Sequence, residues 1–158
     1  MRRHDRELKD FESMQAILEK GEVCHLAIHD EPYPYLVALN YAWLPDDKAG
    51  VLYFHSAKEG KKLDLLRQNP NVCFEIHVDG GILYNARKES CTMAYESVTG
   101  FGTVSFVEDP KEKKRALDAL MSHYHLETKP YNPAVVPITA VLKLPIASIT
   151  GKKRQPSL

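Results

Sequence analysis

The stretch YFHSAKEGKKLDLLRQNP, Tyr53–Pro70, passes from an apolar strand ending to a basic helix within a few residues. Val51 to His55 reads as a short strand, and the pattern beyond it predicts a helix to about Gln68, broken at Asn69-Pro70-Asn71. Ser56 stands where an N-cap belongs, with Glu59 at capping-box spacing. Lys58, Lys61 and Lys62 crowd the start of this helix, and Arg67 follows on it. Two readings stay open. In one, the helix is capped locally and the lysines are a solvated face. In the other, the unpaired N–H groups and positive dipole end of the helix start hold an anion. Cations in a first turn oppose the dipole, which favours the second reading, and Ser56 would then donate its hydroxyl to the anion.

Outward from this stretch the chain is mostly strands. Tyr35 to Trp43 alternates with period two: Tyr35, Val37, Leu39, Tyr41 and Trp43 point one way, Leu36, Ala38, Asn40 and Ala42 the other. The first face is bulky and suits a core. The second is small with one amide, which leaves room for either a flat ligand or a neighbouring side chain. Pro45–Gly50 is a turn joining this strand to Val51–His55 as a hairpin. Val23–Ile28 and Val72–Val78 read as further strands, the latter with Val72, Phe74, Ile76 and Val78 inward, and Asp79-Gly80-Gly81 reads as a turn. Gly81–Tyr95 has no legible period. Val98–Val107 is a strand in which Gly100 and Gly102 signal a bend, a bulge or a close backbone approach. The last strand is Ile138–Thr150.

Helices are expected at Phe11–Lys20, capped by Asp10, and from Asp109-Pro110 to about His123, with Glu112 as capping-box acid. Six strands and about three helices give a mainly β, α+β chain with a mostly antiparallel, closed or half-closed sheet. One domain over residues 1–158 fits the length, with 1–9 and 152–158 expected to be flexible.

Composition excludes several functions. Lys plus Arg and Asp plus Glu are both 21, so net charge is zero and a generic polyanion binder is not expected. The strand aromatics fall mainly on inward faces, unlike a nucleic-acid barrel. No apolar run approaches a membrane span, and MRRHDRELKD lacks the apolar segment of a signal peptide. Cys24, Cys73 and Cys91 form no CxxC pair, so reduced thiols in the cytoplasm are expected. The sequence lacks GxxxxGK[ST] and a GxGxxG after a strand. His25 and His77 read as polar sheet residues, His123-x-His125 has no matching third ligand, and no metal site is expected.

The segment FHSAKEGKKLDLLRQNPNVCFE resembles the flavin-phosphate segment of the pyridoxamine 5′-phosphate oxidase-like split-barrel flavoproteins, and most resembles their nitroimidazole-resistance subgroup. MRRHDRE, PYLVALNYAW, ESVTGFGTVSFVEDP and the closing ITGKK agree in order, so the resemblance spans nearly the whole chain. It implies a six-stranded antiparallel split barrel that binds FMN between the subunits of a homodimer, with FAD or haem as alternatives. The implied phosphate site is His55, Ser56, Ala57, Lys61 and Lys62. Val37, Ala38, Leu39 and Asn40 would line the isoalloxazine ring. Glu96, Ser97 and Val98 would reach it from the other subunit, with Lys152 as a further candidate. The implied activity is FMN-dependent reduction of a small acceptor such as a nitroaromatic, with His55 the one titratable candidate near the ring. The rival is a non-catalytic flavin or haem binder, His55 being the residue that keeps haem open. The pyridoxal-phosphate residues of the true oxidase find no match, so vitamin B6 oxidation is not implied.

Overall fold

Alternation of period two dominates the chain, and in a computed structural model describing residues 3–154 it becomes nine strands paired antiparallel throughout. In chain order these are β1 (Glu7–Leu8), α1 (Phe11–Lys20), β2 (Cys24–Ile28), β3 (Tyr35–Leu39), β4 (Tyr41–Leu44), β5 (Val51–Ala57), α2 (Lys61–Gln68), β6 (Asn71–Asn85), β7 (Ser90–Thr103), β8 (Ser105–Phe106), α3 (Pro110–His123) and β9 (Thr139–Arg154). The strand order is β3-β2-β6-β7-β9-β5-β4, with β1 and β8 also on β9. Its two end strands, β3 and β4, are consecutive in sequence, separated by Asn40 alone. The sheet must therefore curl until its ends meet at Asn40. No ladder joins them among the described residues, so the barrel is split, not closed.

The inward side chains of both halves meet in one core, with Tyr41, Phe54, Phe74 and Leu142 fully buried. Burial of each such side chain favours the fold by about 1.5–3 kcal/mol. The α1 helix adds Ile17 and Leu18 to this core, and the Tyr41 hydroxyl donates to the Leu18 carbonyl at 2.8 Å. A smaller cluster of Tyr53, Val107, Ala116 and Val141 lies under α3. Asp109 caps α3 as its sequence suggests, accepting from the Glu112 N–H. Glu112 itself does not complete a capping box: its carboxylate accepts from the Tyr53 hydroxyl and from Lys143. Among the described residues no helix is long and apolar enough to cross a membrane.

Several expectations are corrected. The Tyr35–Trp43 strand divides at Asn40, and Ala42, read onto the open small face, is 1% exposed. Nine strands replace six because β1 is a two-residue pairing without a readable period, because the expected Val98–Val107 strand breaks at Val104 into the end of β7 and the short β8, and because of that division. Asp79-Gly80-Gly81 is no turn: β6 runs through it with a register shift between Asp79 and Ile82, and the Gly81–Tyr95 segment forms the outer part of the β6–β7 hairpin. The chain ends are tied where flexibility was expected: Glu7 and Leu8 pair with Lys152 and Gly151, and β9 continues to Arg154. The expectation for residues 1–2 and 155–158 lies outside the described residues.

Gly100 and Gly102 are where the strands on either side crowd β7. A Cβ on Gly100 would lie 2.5 Å from the Phe74 ring and 2.7 Å from the Ser148 carbonyl oxygen, and the β7–β9 register shifts between Phe101 and Gly102. Gly100→Ala is expected to lower unfolding stability by about 1–3 kcal/mol through overpacking. Urea denaturation checks this, and a loss well under ~1 kcal/mol would mean that Phe74 can yield.

Candidate functional site

The β5–α2 corner is built differently from a capped helix. His55, Ser56 and Ala57 are strand residues, paired with Val141, Ala140 and Thr139 of β9. The ladder thus claims Ser56, and α2 starts only at Lys61, after Gly60. Gly60 has φ +131°, a conformation side chains rarely adopt, and no side chain caps the helix. The expected Ser56–Glu59 capping box is therefore absent, because extended pairing to β9 carries Ser56 away from the helix start. What remains is a first turn whose N–H groups have no side-chain acceptor.

Alternation along β5 then separates two residues that the sequence placed together. Leu52, Phe54 and Ser56 share the face that lines the main core, whereas Tyr53 and His55 face the other way. Ser56 Oγ is buried and has no hydrogen-bond partner. His55 and Ala57 are exposed. Leaving a buried hydroxyl unpaired costs about 1–3 kcal/mol. A group with acceptor oxygens seated at the corner would remove that cost.

The lysines are not equivalent. Lys61 Nζ lies 2.6 Å from Asp30 Oδ2 and 5.3 Å from the centre of the Tyr35 ring. It thereby links the corner to the start of β3. Asp30 was not legible as a partner, since it sits in the loop after β2, far from Lys61 in sequence. The Lys61 hydrogen bond holds the Asp30 carboxyl below its ordinary value. Lys58 and Lys62 form no ion pair among the described residues.

β3 is an end strand of the sheet, so one edge of its backbone faces outward unpaired. Val37 and Leu39 turn inward and pack on the core, leaving Ala38 and Asn40 exposed. The Asn40 amide donates to Tyr124 Oη at 3.1 Å and more weakly to the Glu22 carbonyl at 3.4 Å. Tyr124 Oη also accepts from the Tyr41 N–H and donates to the Glu22 carbonyl. The Tyr124 hydroxyl, which sequence reasoning missed, thus pins the point where the barrel splits. His123 is engaged too, with Nε2 2.7 Å from the Gly21 carbonyl oxygen.

Glu96, Ser97, Val98 and Lys152 form a separate group. Ser97 pairs with Lys152 and Glu96 with Lys153 across β7 and β9. The Glu96 carboxylate is bonded by Lys153 and lies 3.5 Å from Lys20, and the Lys153 hydrogen bond is the main cause of its lowered pKa. Val98 is fully buried, so only its backbone could meet a ligand. Ala140, beside Ser56, and Lys152, beside Ser97, are about 12 residues apart on β9, up to roughly 40 Å at about 3.3 Å per residue. One chain therefore holds the corner and the Glu96 group at opposite ends of one strand.

A family described as pyridoxamine 5′-phosphate oxidase matches residues 10–153. No curated protein matches the chain. Among solved structures, a candidate 5-nitroimidazole antibiotic resistance protein from Bacteroides thetaiotaomicron is 33% identical, with TM-score 0.81 over 93% of this chain and 86% of that one. A flavocytochrome from Azotobacter vinelandii (20% identity, TM-score 0.81, 98% and 72% covered) shares the fold. So does an FAD- and haem-binding protein from Mycobacterium smegmatis (18%, TM-score 0.78, 95% and 74% covered).

The Asp30–Lys61 pair has a pH signature. A carboxyl with a lowered folded pKa stabilises the fold above the ordinary carboxylate range, and that contribution fades as pH falls through the lowered value. In a ¹³C NMR titration the Asp30 carboxyl is expected to protonate below its ordinary pKa in the native protein and near it in Lys61→Met. Identical midpoints in the two proteins would remove the pair.

Proposed function

The chain belongs to the pyridoxamine 5′-phosphate oxidase-like family, and on that premise we propose that it is an FMN-binding oxidoreductase that works as a homodimer. The observation that carries this reading is the buried, unpartnered Ser56 hydroxyl beside the uncapped start of α2. A phosphate ester fits there: it offers acceptor oxygens to Ser56 and to the first-turn N–H groups, and its charge suits the dipole. Lys62 and Lys58 would supply the opposing charge. Lys61 contributes less than its position suggests while Asp30 holds it.

The exposed backbone edge of β3, with Ala38 and Asn40, would lie along the flavin ring. Val37 and Leu39 would support it from beneath, since their side chains face the core. The partner subunit's Glu96, Ser97 and Lys152 would complete the site. The phosphate corner and the Ser97–Lys152 pair lie at opposite ends of β9, which supports a site shared between two chains. Exposed Leu36 and Phe101, 63% and 56% accessible, offer apolar surface for such a contact.

Flavin supplies two-electron transfer when bound, from a donor such as reduced nicotinamide to a small acceptor, a nitroaromatic being the class suggested by the 33%-identical relative. The protein's part is to hold the phosphate, orient the ring and present an open face. The exposed His55 lies on the opposite face of β5 from Ser56, so its side chain is no phosphate ligand in this reading. Three unpaired thiols suit a reducing compartment, and we place the protein in the cytoplasm.

Two measurements test the reading. The freshly purified or FMN-reconstituted protein is expected to show oxidised-flavin absorption that bleaches with a nicotinamide donor. A Soret band instead favours haem, and a flavin that no donor reduces favours a binder. Ser56→Ala should act in opposite directions on the two states. It removes an unsatisfied buried hydroxyl, so apo-protein stability should hold or rise by about 1 kcal/mol, while FMN affinity falls about five- to tenfold. Unchanged affinity in Ser56→Ala would mean that the phosphate lies elsewhere.

A further inference from the structure

We propose that His25, Glu75 and His77 form a zinc-type site for a divalent transition metal, with three protein donors and one open coordination position. His25 on β2 stands directly opposite Glu75 on β6, and His77 follows Glu75 by one pleat on the same face. Directly opposed residues in an antiparallel pair have Cβ atoms about 5 Å apart, so the three side chains converge by strand geometry alone. His25 Nδ1 lies 3.2 Å, and His77 Nδ1 3.3 Å, from the same Glu75 oxygen, Oε2. The two imidazoles stack at 5.7 Å with planes 13° apart, and the three donor atoms lie within 4.8 Å of one another.

The two nitrogen–oxygen separations match the edges of a tetrahedron, and the stacked imidazoles turn apart to bring both nitrogens onto one ion. Metal–nitrogen and metal–oxygen bonds of about 2.0–2.1 Å place neighbouring donors roughly 3.3 Å apart. Two imidazoles and a carboxylate are a donor set for zinc, cobalt, nickel or ferrous iron, and not for magnesium or calcium. The donors come from adjacent strands, so the chain loses little entropy in bringing them together. Side-chain exposures of 33%, 37% and 43% leave the group open to an ion from solvent. A cavity of about 500 Å³, lined in part by Lys20, Glu22 and Asp79, opens beside His25 and His77 and gives a fourth ligand room. Sequence spacing hides the site, because His25 and Glu75 are 50 positions apart.

The inference needs no flavin, although His25 stands opposite Ala38 and His77 opposite Ser97, which the proposed flavin site also uses. The test is calorimetric titration of chelator-stripped, full-length protein with Zn²⁺, together with Co²⁺ absorption spectroscopy. The expected result is one ion per chain and a Co²⁺ ligand-field spectrum of four-coordinate type. Glu75→Gln and His77→Ala should each raise the Zn²⁺ Kd at least tenfold. Far-UV circular dichroism and the urea midpoint serve as folding readouts, and both are expected to stay unchanged. His123→Ala should leave Zn²⁺ affinity unaltered. Absence of saturable binding, or binding that survives the Glu75 and His77 variants, would overturn the proposal.

Discussion

β9 is the constraint on which the rest of the molecule depends. It pairs with β5 over its first half and with β7 over its second, and also takes β1 and β8. A strand that joins both halves of a split barrel fixes their relative placement by backbone hydrogen bonds. It holds Ser56 inward at one end and the Ser97–Lys152 pair at the other. In the proposed site one end comes from each of two chains.

The corner at the start of β9 shows where local sequence rules mislead. Ser56, Glu59 and the lysines spell a capping box, and an isolated peptide would have reason to form one. Pairing of His55, Ser56 and Ala57 to β9 extends β5 past the cap position and leaves a hydroxyl unsatisfied. Local preference and observed structure disagree there. Such disagreement is expected where a ligand, and not the chain, supplies the missing partner.

Much of the fold was legible because it rests on period and punctuation. The α1 helix matches its expected span, Asp109 caps α3, and the inward set Val72, Phe74 and Ile76 is buried as read. Gly100 and Gly102 mark a close approach and a register shift, as glycines in a strand suggest. Long-range pairings were illegible: the tie of β1 to the end of β9, the Asp30–Lys61 bond, the Tyr124 hydroxyl at Asn40, and the convergence of His25 on Glu75. Each depends on strand order, which hydrophobic alternation does not encode. The reading of Tyr35–Trp43 as one strand failed for the same reason, since alternation continues through Asn40 while the chain passes from one end of the sheet to the other.

The central claim, that each flavin site draws on two chains, is tested most directly by subunit mixing. Ser56→Trp blocks the corner and Ser97→Trp blocks the β7 end. Each variant alone should bind no FMN. After joint unfolding and refolding of equal amounts, half of the dimers are mixed and each mixed dimer holds one intact site, so about a quarter of the native FMN capacity should return. A mixture that binds no more flavin than its two parents would contradict the account.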